Sequence, residues 1–137
     1  MGTSTSEPDN SDLERAVQLL GPLEGRIMRS VWTAEVRPPF TVHHVHNLMP
    51  ALAYTTVLTT MRRLADKGLL HVDAAVGRRS HHYRAVGEPA DFVSDASTRE
   101  TAAVVERFGD AALAAFALRL EALSPEQREA LRRVRRS

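Results

Sequence analysis

The 137-residue sequence contains no cysteine, no long apolar run and no catalytic motif. Without cysteine the chain can form neither a disulfide nor a thiolate metal site. No stretch approaches the roughly 18 consecutive apolar residues that a membrane-spanning helix needs. Residues 1–7 also lack the basic and apolar parts of a signal peptide. We therefore expect a cytoplasmic protein that does not insert into a membrane.

The sequence has no Ser-His-Asp order, no glycine-rich phosphate loop and no HExxH zinc motif. We therefore predict that the protein is not an enzyme. His43 and His46 share one face of a predicted helix, with His44 beside them. Imidazoles are common metal and haem ligands, but no carboxylate or cysteine lies near in sequence to complete a site. We predict no metal and no cofactor, and keep as an alternative a ligand- or metal-responsive regulator that uses this histidine cluster.

Net charge is only +1, but the charges are unevenly distributed along the chain. Residues 1–20 hold four acidic side chains and one arginine, whereas residues 21–88 hold nine basic side chains against five acidic ones. Residues 89–137 hold eight of each sign. The basic excess in the middle of the chain favours a nucleic-acid-binding segment there.

Residues 51–70 form the most informative segment. At about 100° per residue, one stripe of this segment is apolar and contains Tyr54, Val57, Leu58, Met61, Leu64 and Ala65. The opposite side carries Thr55, Thr56, Thr59, Arg62, Arg63 and Asp66. Short hydroxyls approach phosphates and base edges closely, and arginine makes bidentate contacts to phosphate or guanine. This pattern predicts a DNA-recognition helix.

The surrounding sequence predicts two helices before this one and a β-hairpin after it. Pro22 starts the first helix, which ends near Thr33. Thr41 caps the second, over residues 42–49. Strands over residues 69–73 and 80–85 follow the recognition helix. The expected fold is mainly α with a small β-hairpin, a winged helix-turn-helix domain over residues 13–87, after a disordered tail over residues 1–12.

Residues 88–137 read as further helices with narrow apolar stripes. The stripes contain too few large side chains for an independent core of about 45 residues, so they need a partner surface. A second copy of the chain is the economical partner, and it gives a two-fold dimer. We predict a helical dimerisation region whose interface residues are Phe92, Val104, Phe108, Leu113, Phe116, Leu120 and Leu123.

The DNA-binding residues follow from the geometry of helix-turn-helix docking, in which the start of the recognition helix reaches base edges. Thr55, Thr56 and Thr59 are therefore expected at base edges, and Arg62 and Arg63 at phosphate or guanine. Arg78 and Arg79 at the hairpin tip suit the minor groove or phosphates. The remaining predicted DNA contacts are Thr41, His43, Tyr54 and His82.

Four motifs resemble the penicillinase-repressor family of bacterial transcriptional regulators. The first is LGPLE at residues 20–24, before a helix that ends in Val-Trp. The second is TVHHVH at residues 41–46. The third is LAYTTV at residues 52–57, followed by Arg-Leu at residues 63–64 and Lys-Gly-Leu at residues 67–69. The fourth is a predicted hairpin with Gly-Arg at residues 77–78 and His-Tyr at residues 82–83. The chain departs from the family at Pro50-Ala51 and at His43-His44, where many relatives carry charged residues.

The resemblance implies a homodimeric repressor whose winged helix binds a palindromic double-stranded DNA operator. It also implies a sensor protease as a partner, which relieves repression by cleaving the C-terminal part. A copper-responsive branch of similar proteins uses a C-terminal cysteine cluster, so the absence of cysteine excludes that branch. The alternative from another class is a winged-helix module for protein–protein contact.

Overall fold

The computed structural model describes residues 10–74 and 81–136. Within these residues it contains seven helices and two strands. In chain order they are α1 (Asn10–Gln18), α2 (Pro22–Trp32), α3 (Val42–Leu48), α4 (Tyr54–Asp66), β1 (Leu70–Asp73), β2 (His82–Ala85), α5 (Pro89–Phe108), α6 (Asp110–Glu121) and α7 (Pro125–Arg136). None of the helices in the described part of the chain is long and apolar enough to cross a membrane.

The chain divides into two compact units, Met1–Asp95 and Ala96–Ser137. The division falls inside α5, eight residues after the predicted end of the winged domain at residue 87. The first turns of α5 belong to the first unit because Phe92 packs on Trp32, with ring centroids 6.2 Å apart. The Trp32 indole Nε1–H also donates to the Gly87 carbonyl at 3.0 Å, which ties the end of α2 to the segment that leads into α5.

The core of the first unit is built from the apolar stripes of α2, α3 and α4. Ile27 and Met28 of α2 pack against Val57, Met61 and Leu64 of α4, and all five are fully buried. The remaining buried members of this core are Val36, Phe40, Val42, Val45, Met49, Leu69, Leu70 and Tyr83. Three residues of the apolar stripe predicted from sequence, Val57, Met61 and Leu64, are therefore the buried face of α4. Leu58 and Ala65 are half-buried, whereas Tyr54 at the start of the helix is exposed.

Local sequence signals set the helix boundaries. The Thr41 side chain accepts from the His44 N–H, and His44 Nδ1 accepts from the Thr41 N–H at 3.0 Å, which makes a reciprocal cap at the start of α3. After α4, Gly68 adopts a φ of +85°, a conformation that is costly for any residue with a Cβ. The chain can therefore turn directly from α4 into β1.

The hairpin is antiparallel, with Leu70 opposite Ala85 and Asp73 opposite His82. Phe40 extends it as an isolated bridge, because Phe40 and Tyr83 exchange two backbone hydrogen bonds, of 3.0 Å and 2.7 Å. Their rings stack with centroids 6.4 Å apart. These contacts anchor β2 beside the segment that leads into α3.

Helix α1 begins two residues before the predicted end of the disordered tail. Its Leu13 and Ala16 are buried, and Glu14 accepts two hydrogen bonds from Arg29 of α2, at 2.7 Å and 2.9 Å. Gly25 allows the close approach of α1 and α2, because a Cβ there would lie 3.0 Å from a methyl group of Val17. Packing on α2 thus supports a helix that is too short to be stable alone.

The second unit contains the rest of α5, α6 and α7. Gly109 separates α5 from α6 with a φ of +64°. Ser124 and Gln127 form a capping box at the start of α7, with hydrogen bonds of 2.8 Å and 3.1 Å. Ala112 is the one fully described residue of this unit that is buried, so the unit has little core of its own.

Candidate nucleic-acid interface

The polar face of α4 is open to solvent. Thr55, Thr56, Thr59, Arg62 and Arg63 are all exposed, on the side opposite the buried stripe. Neither arginine forms an ion pair with any residue in the described ranges 10–74 and 81–136. Both guanidiniums are therefore available to a ligand that approaches this face.

A groove of about 620 Å³ runs between this face and the start of α2. Its lining residues are Gly21, Pro22, Leu23, Glu24, Thr55, Thr56, Thr59, Thr60, Arg63 and Lys67. Three of its side chains are already engaged. The Thr60 hydroxyl donates to the Thr56 carbonyl at 2.8 Å, and Lys67 is paired with Glu24 at 2.8 Å. Arg63 and the outer threonines remain to bind a ligand.

A smaller cavity of about 200 Å³ lies between α3, α4 and β2. Its lining residues are Thr41, Val42, His43, Tyr54, Leu58, Arg62, His81 and Tyr83. Burial raises the pKa of the Tyr83 phenol above its usual value, and the positive charge of Arg62 partly offsets this increase. The predicted DNA-binding residues Thr41, His43, Tyr54 and Arg62 thus meet around one cavity.

Two of the three helix α3 histidines have structural partners. His44 completes the cap of α3, and His46 Nε2 lies 2.8 Å from the Leu52 carbonyl in the turn before α4. The His43 and His46 rings both contact Tyr54, at centroid distances of 4.8 Å and 5.8 Å. The described residues contain no group of three or more potential metal ligands. The hydrogen bonds of His44 and His46 therefore help to hold α3 and the turn before α4 in place.

The hairpin contributes a residue that the sequence pattern does not mark as part of the site. The sequence predicts only a strand position for Tyr83, yet this residue is 3% exposed and lines the cavity beside Arg62. His82, predicted to contact DNA, is half-buried, and its Nδ1 has no hydrogen-bond partner among the described residues. The alternation of side chains along a strand shows which positions share a face, but not what lies opposite them. Arg78 and Arg79 lie outside the described residues.

Most of the predicted dimerisation residues are exposed apolar side chains. Those exposed are Val104, Phe108, Leu113, Phe116 and Leu120, and Leu123 is half-buried. Phe92 differs, because it packs on Trp32 within the first unit. A groove of about 450 Å³ lies between α6 and α7 and is lined by Phe116, Arg119, Leu120, Leu123, Gln127, Ala130, Leu131 and Val134.

Helices α2, α3 and α4 pack together, α4 exposes a polar face, and an antiparallel hairpin follows. This arrangement defines a winged helix-turn-helix protein. The sequence model of the penicillinase repressor family matches residues 20–136. The chain therefore belongs to this family, as its motifs predicted. It is 36% identical over 106 residues to the transcriptional regulator BlaI of Mycobacterium tuberculosis strains CDC 1551 and H37Rv, covering 66% of this chain and 74% of the relative. The protein is thus a DNA-binding transcriptional regulator and not an enzyme.

Solved structures with similar architecture include MepR from Staphylococcus aureus and FabT from Streptococcus pneumoniae, the latter in complex with DNA. MepR is 14% identical, with a TM-score of 0.45 over 90% of this chain and 84% of MepR. FabT is 17% identical, with a TM-score of 0.44 over 90% of this chain and 81% of FabT. The helices and hairpin of the chain itself define its winged helix-turn-helix fold.

Proposed function

We propose that the protein is a cytoplasmic, sequence-specific transcriptional repressor that binds a palindromic operator as a homodimer. The observation that supports the proposal is the exposed face of α4, which carries three threonines, two arginines without ion pairs among the described residues, and a single acidic residue, Asp66. Thr55, Thr56 and Thr59 occupy the first two turns of α4. These turns enter the major groove in helix-turn-helix docking, while later residues meet the backbone.

The second unit supports the homodimer. Phe108, Leu113 and Leu120 are each about half exposed, at 55%, 53% and 49%. Large apolar side chains that cluster on a surface mark an interaction site, and the groove between α6 and α7 adds a concave apolar surface nearby. A second copy of the same unit is a self-complementary partner in a two-fold arrangement.

We further propose that repression is relieved by a signal that dissociates the dimer, such as cleavage of the C-terminal part by a sensor protease. The family resemblance supports this step, and the physics is simple. A dimer holds its second DNA-binding unit near the second half-site at high effective concentration, whereas a monomer must bind each half-site independently. Loss of dimerisation therefore weakens operator binding without any change in α4.

Footprinting of the full chain on the DNA upstream of its own gene tests the proposal. We expect two protected half-sites related by two-fold symmetry, with centres one or two helical turns apart, at about 10 bp per turn. Sedimentation of the free protein should give a dimer. Equal affinity for the upstream DNA and for unrelated DNA of the same length would contradict sequence-specific repression.

A further inference from the structure

The turn between α3 and α4 exposes apolar side chains next to the polar face of α4. Residues 49–53 read Met-Pro-Ala-Leu-Ala, so none of them carries a hydrogen-bonding side chain. Met49 is buried and Leu52 is half-buried, whereas Pro50, Ala51 and Ala53 are exposed. Surface turns are usually built from Gly, Pro, Asn, Asp and Ser. The two exposed alanines are therefore unusual here, and they shortly precede the exposed threonines of α4.

Contacts on both sides of Ala53 hold this turn in place. The Leu52 N–H donates to the Met49 carbonyl at 3.1 Å, and the Leu52 carbonyl lies 2.8 Å from His46 Nε2. After Ala53, the Tyr54 ring contacts the ring of His46, with centroids 5.8 Å apart. Ala53 thus lies between two anchored residues, so the position of its methyl group relative to α4 is fixed.

Ala53 is the N-cap of α4, with extended backbone angles (φ −67°, ψ 144°) and no side-chain hydrogen bond to the helix end. Alanine is among the poorest N-cap residues, whereas Ser, Thr, Asp and Asn accept from the free N–H groups of the first turn. Two other helices show the contrast, because Thr41 caps α3 and Ser124 caps α7 in this way. A local rule of stability that is broken at an exposed position is typical of functional sites.

We propose that the Ala53 methyl group contacts the C5-methyl group of one thymine in each operator half-site. This contact rests on the proposed function, which places the start of α4 in the major groove. Thymine is the base that presents a methyl group there, and an alanine side chain can offer only an apolar contact. A cytosine at the same position would leave its N4 amino group against this methyl group without an acceptor. Ala53 is therefore a specificity-determining residue beside the threonines of α4.

Deoxyuridine replacement tests the contact one methyl group at a time. Each thymine of the upstream DNA is replaced in turn by deoxyuridine, which removes the C5-methyl group and keeps every hydrogen-bonding atom of the base. Binding of the full chain is measured by fluorescence anisotropy. We expect one replacement in each half-site to weaken binding about fourfold, the effect of one buried methyl group. Ala53→Gly should weaken binding to the unmodified DNA by a similar factor, and the same replacement should then have no further effect.

Ala51→Gly is the matched control, because it removes the methyl group of the other exposed alanine in this turn. This variant should keep the deoxyuridine effect of the wild type. Glycine is a better N-cap than alanine, so Ala53→Gly should leave the melting temperature of the protein unchanged or slightly higher. Weaker operator binding at an equal or higher melting temperature cannot result from unfolding of α4, and binding of Ala53→Gly to unrelated DNA should not change.

Specific binding of the wild type without a deoxyuridine effect at any position would overturn the proposed contact and leave the proposed function standing. A deoxyuridine effect that remains in Ala53→Gly would also overturn it, because another side chain, such as a threonine of α4, would then meet the thymine methyl group. Equal affinity of the wild type for upstream and unrelated DNA would contradict the proposed function itself, and the contact with it.

Discussion

The Lys67 ammonium lies 2.8 Å and 3.1 Å from the two carboxylate oxygens of Glu24, joining the end of α4 to the first turn of α2. The Glu24 side chain is only 12% exposed, whereas that of Lys67 is 53% exposed. Both residues line the groove beside the polar face of α4. The pair neutralises one of the two cations in this groove, so Arg63 is the remaining charge that can meet DNA there.

Glu24→Gln should increase the affinity for unrelated DNA. The change removes a negative charge from the groove and frees Lys67 for a phosphate, so the slope of log affinity against log salt should steepen by about one. Affinity for the operator should rise less than affinity for unrelated DNA, which lowers the specificity ratio. Salt titrations of both DNAs by fluorescence anisotropy measure the salt slope and the specificity ratio. Glu35→Gln, an exposed carboxylate outside this groove, should show neither effect, and an unchanged slope in Glu24→Gln would refute the prediction.

Thr59→Ala and Arg63→Ala should weaken operator binding in different ways. If Thr59 meets a base, its loss costs about 1–3 kcal/mol and relaxes the preference at one position per half-site. If Arg63 meets a phosphate, its loss weakens binding to all sequences alike and lowers the salt slope by about one. Binding to a set of operator variants separates the two. Arg26→Ala, an exposed arginine of α2, is the control, and wild-type affinity in both test variants would rule out α4 as the recognition helix.

Combined replacement of Arg78 and Arg79 by alanine should reduce affinity for operator and unrelated DNA by similar factors. Arginines at a hairpin tip mainly supply charge to the backbone. Competition binding with both DNAs measures the two factors. A loss confined to the operator would show instead that the hairpin reads bases or groove width.

Phe116→Asp should convert the dimer to monomers. A buried side chain of this size typically contributes about 3–5 kcal/mol relative to alanine, and a two-fold interface contains each change twice. Leu118→Asp is the matched control, because Leu118 lies on the same helix, is 67% exposed and does not line the α6–α7 groove. Sedimentation should give monomers for Phe116→Asp alone, with the first unit still folded. A dimer that persists in Phe116→Asp would place the interface elsewhere.

The stability of the first unit should fall at high pH because of Tyr83. Burial raises the pKa of this phenol in the folded state above the ordinary value of about 10. The stabilising effect of the neutral phenol is thus fully present below pH 10 and is lost as the pH rises through the folded-state pKa. Urea unfolding from pH 8 to pH 11 should show a steeper decline for the wild type than for Tyr83→Phe. If the free energy of unfolding declined equally with pH in the two proteins, this prediction would be wrong.

The sequence by itself determined the family, the three helices α2 to α4 and the main signals at their ends. The buried stripe of α4 follows from apolar spacing, and the caps at Thr41 and Ser124 follow from interactions three residues apart. The turn at Gly68 depends on the conformation of one residue. Such signals act between near neighbours in the chain, so they can be read before the fold is known.

Only the tertiary structure decided which side chains meet across elements. Lys67 and Glu24 are 43 residues apart, and Trp32 and Gly87 are 55 apart. Tyr83 faces Arg62 because the Phe40 bridge anchors β2 beside α3, and Phe92 packs on Trp32 because the first turns of α5 lie against α2. Periodicity shows which face of an element is apolar, but the partner of that face depends on how the elements pack, which chain spacing does not encode.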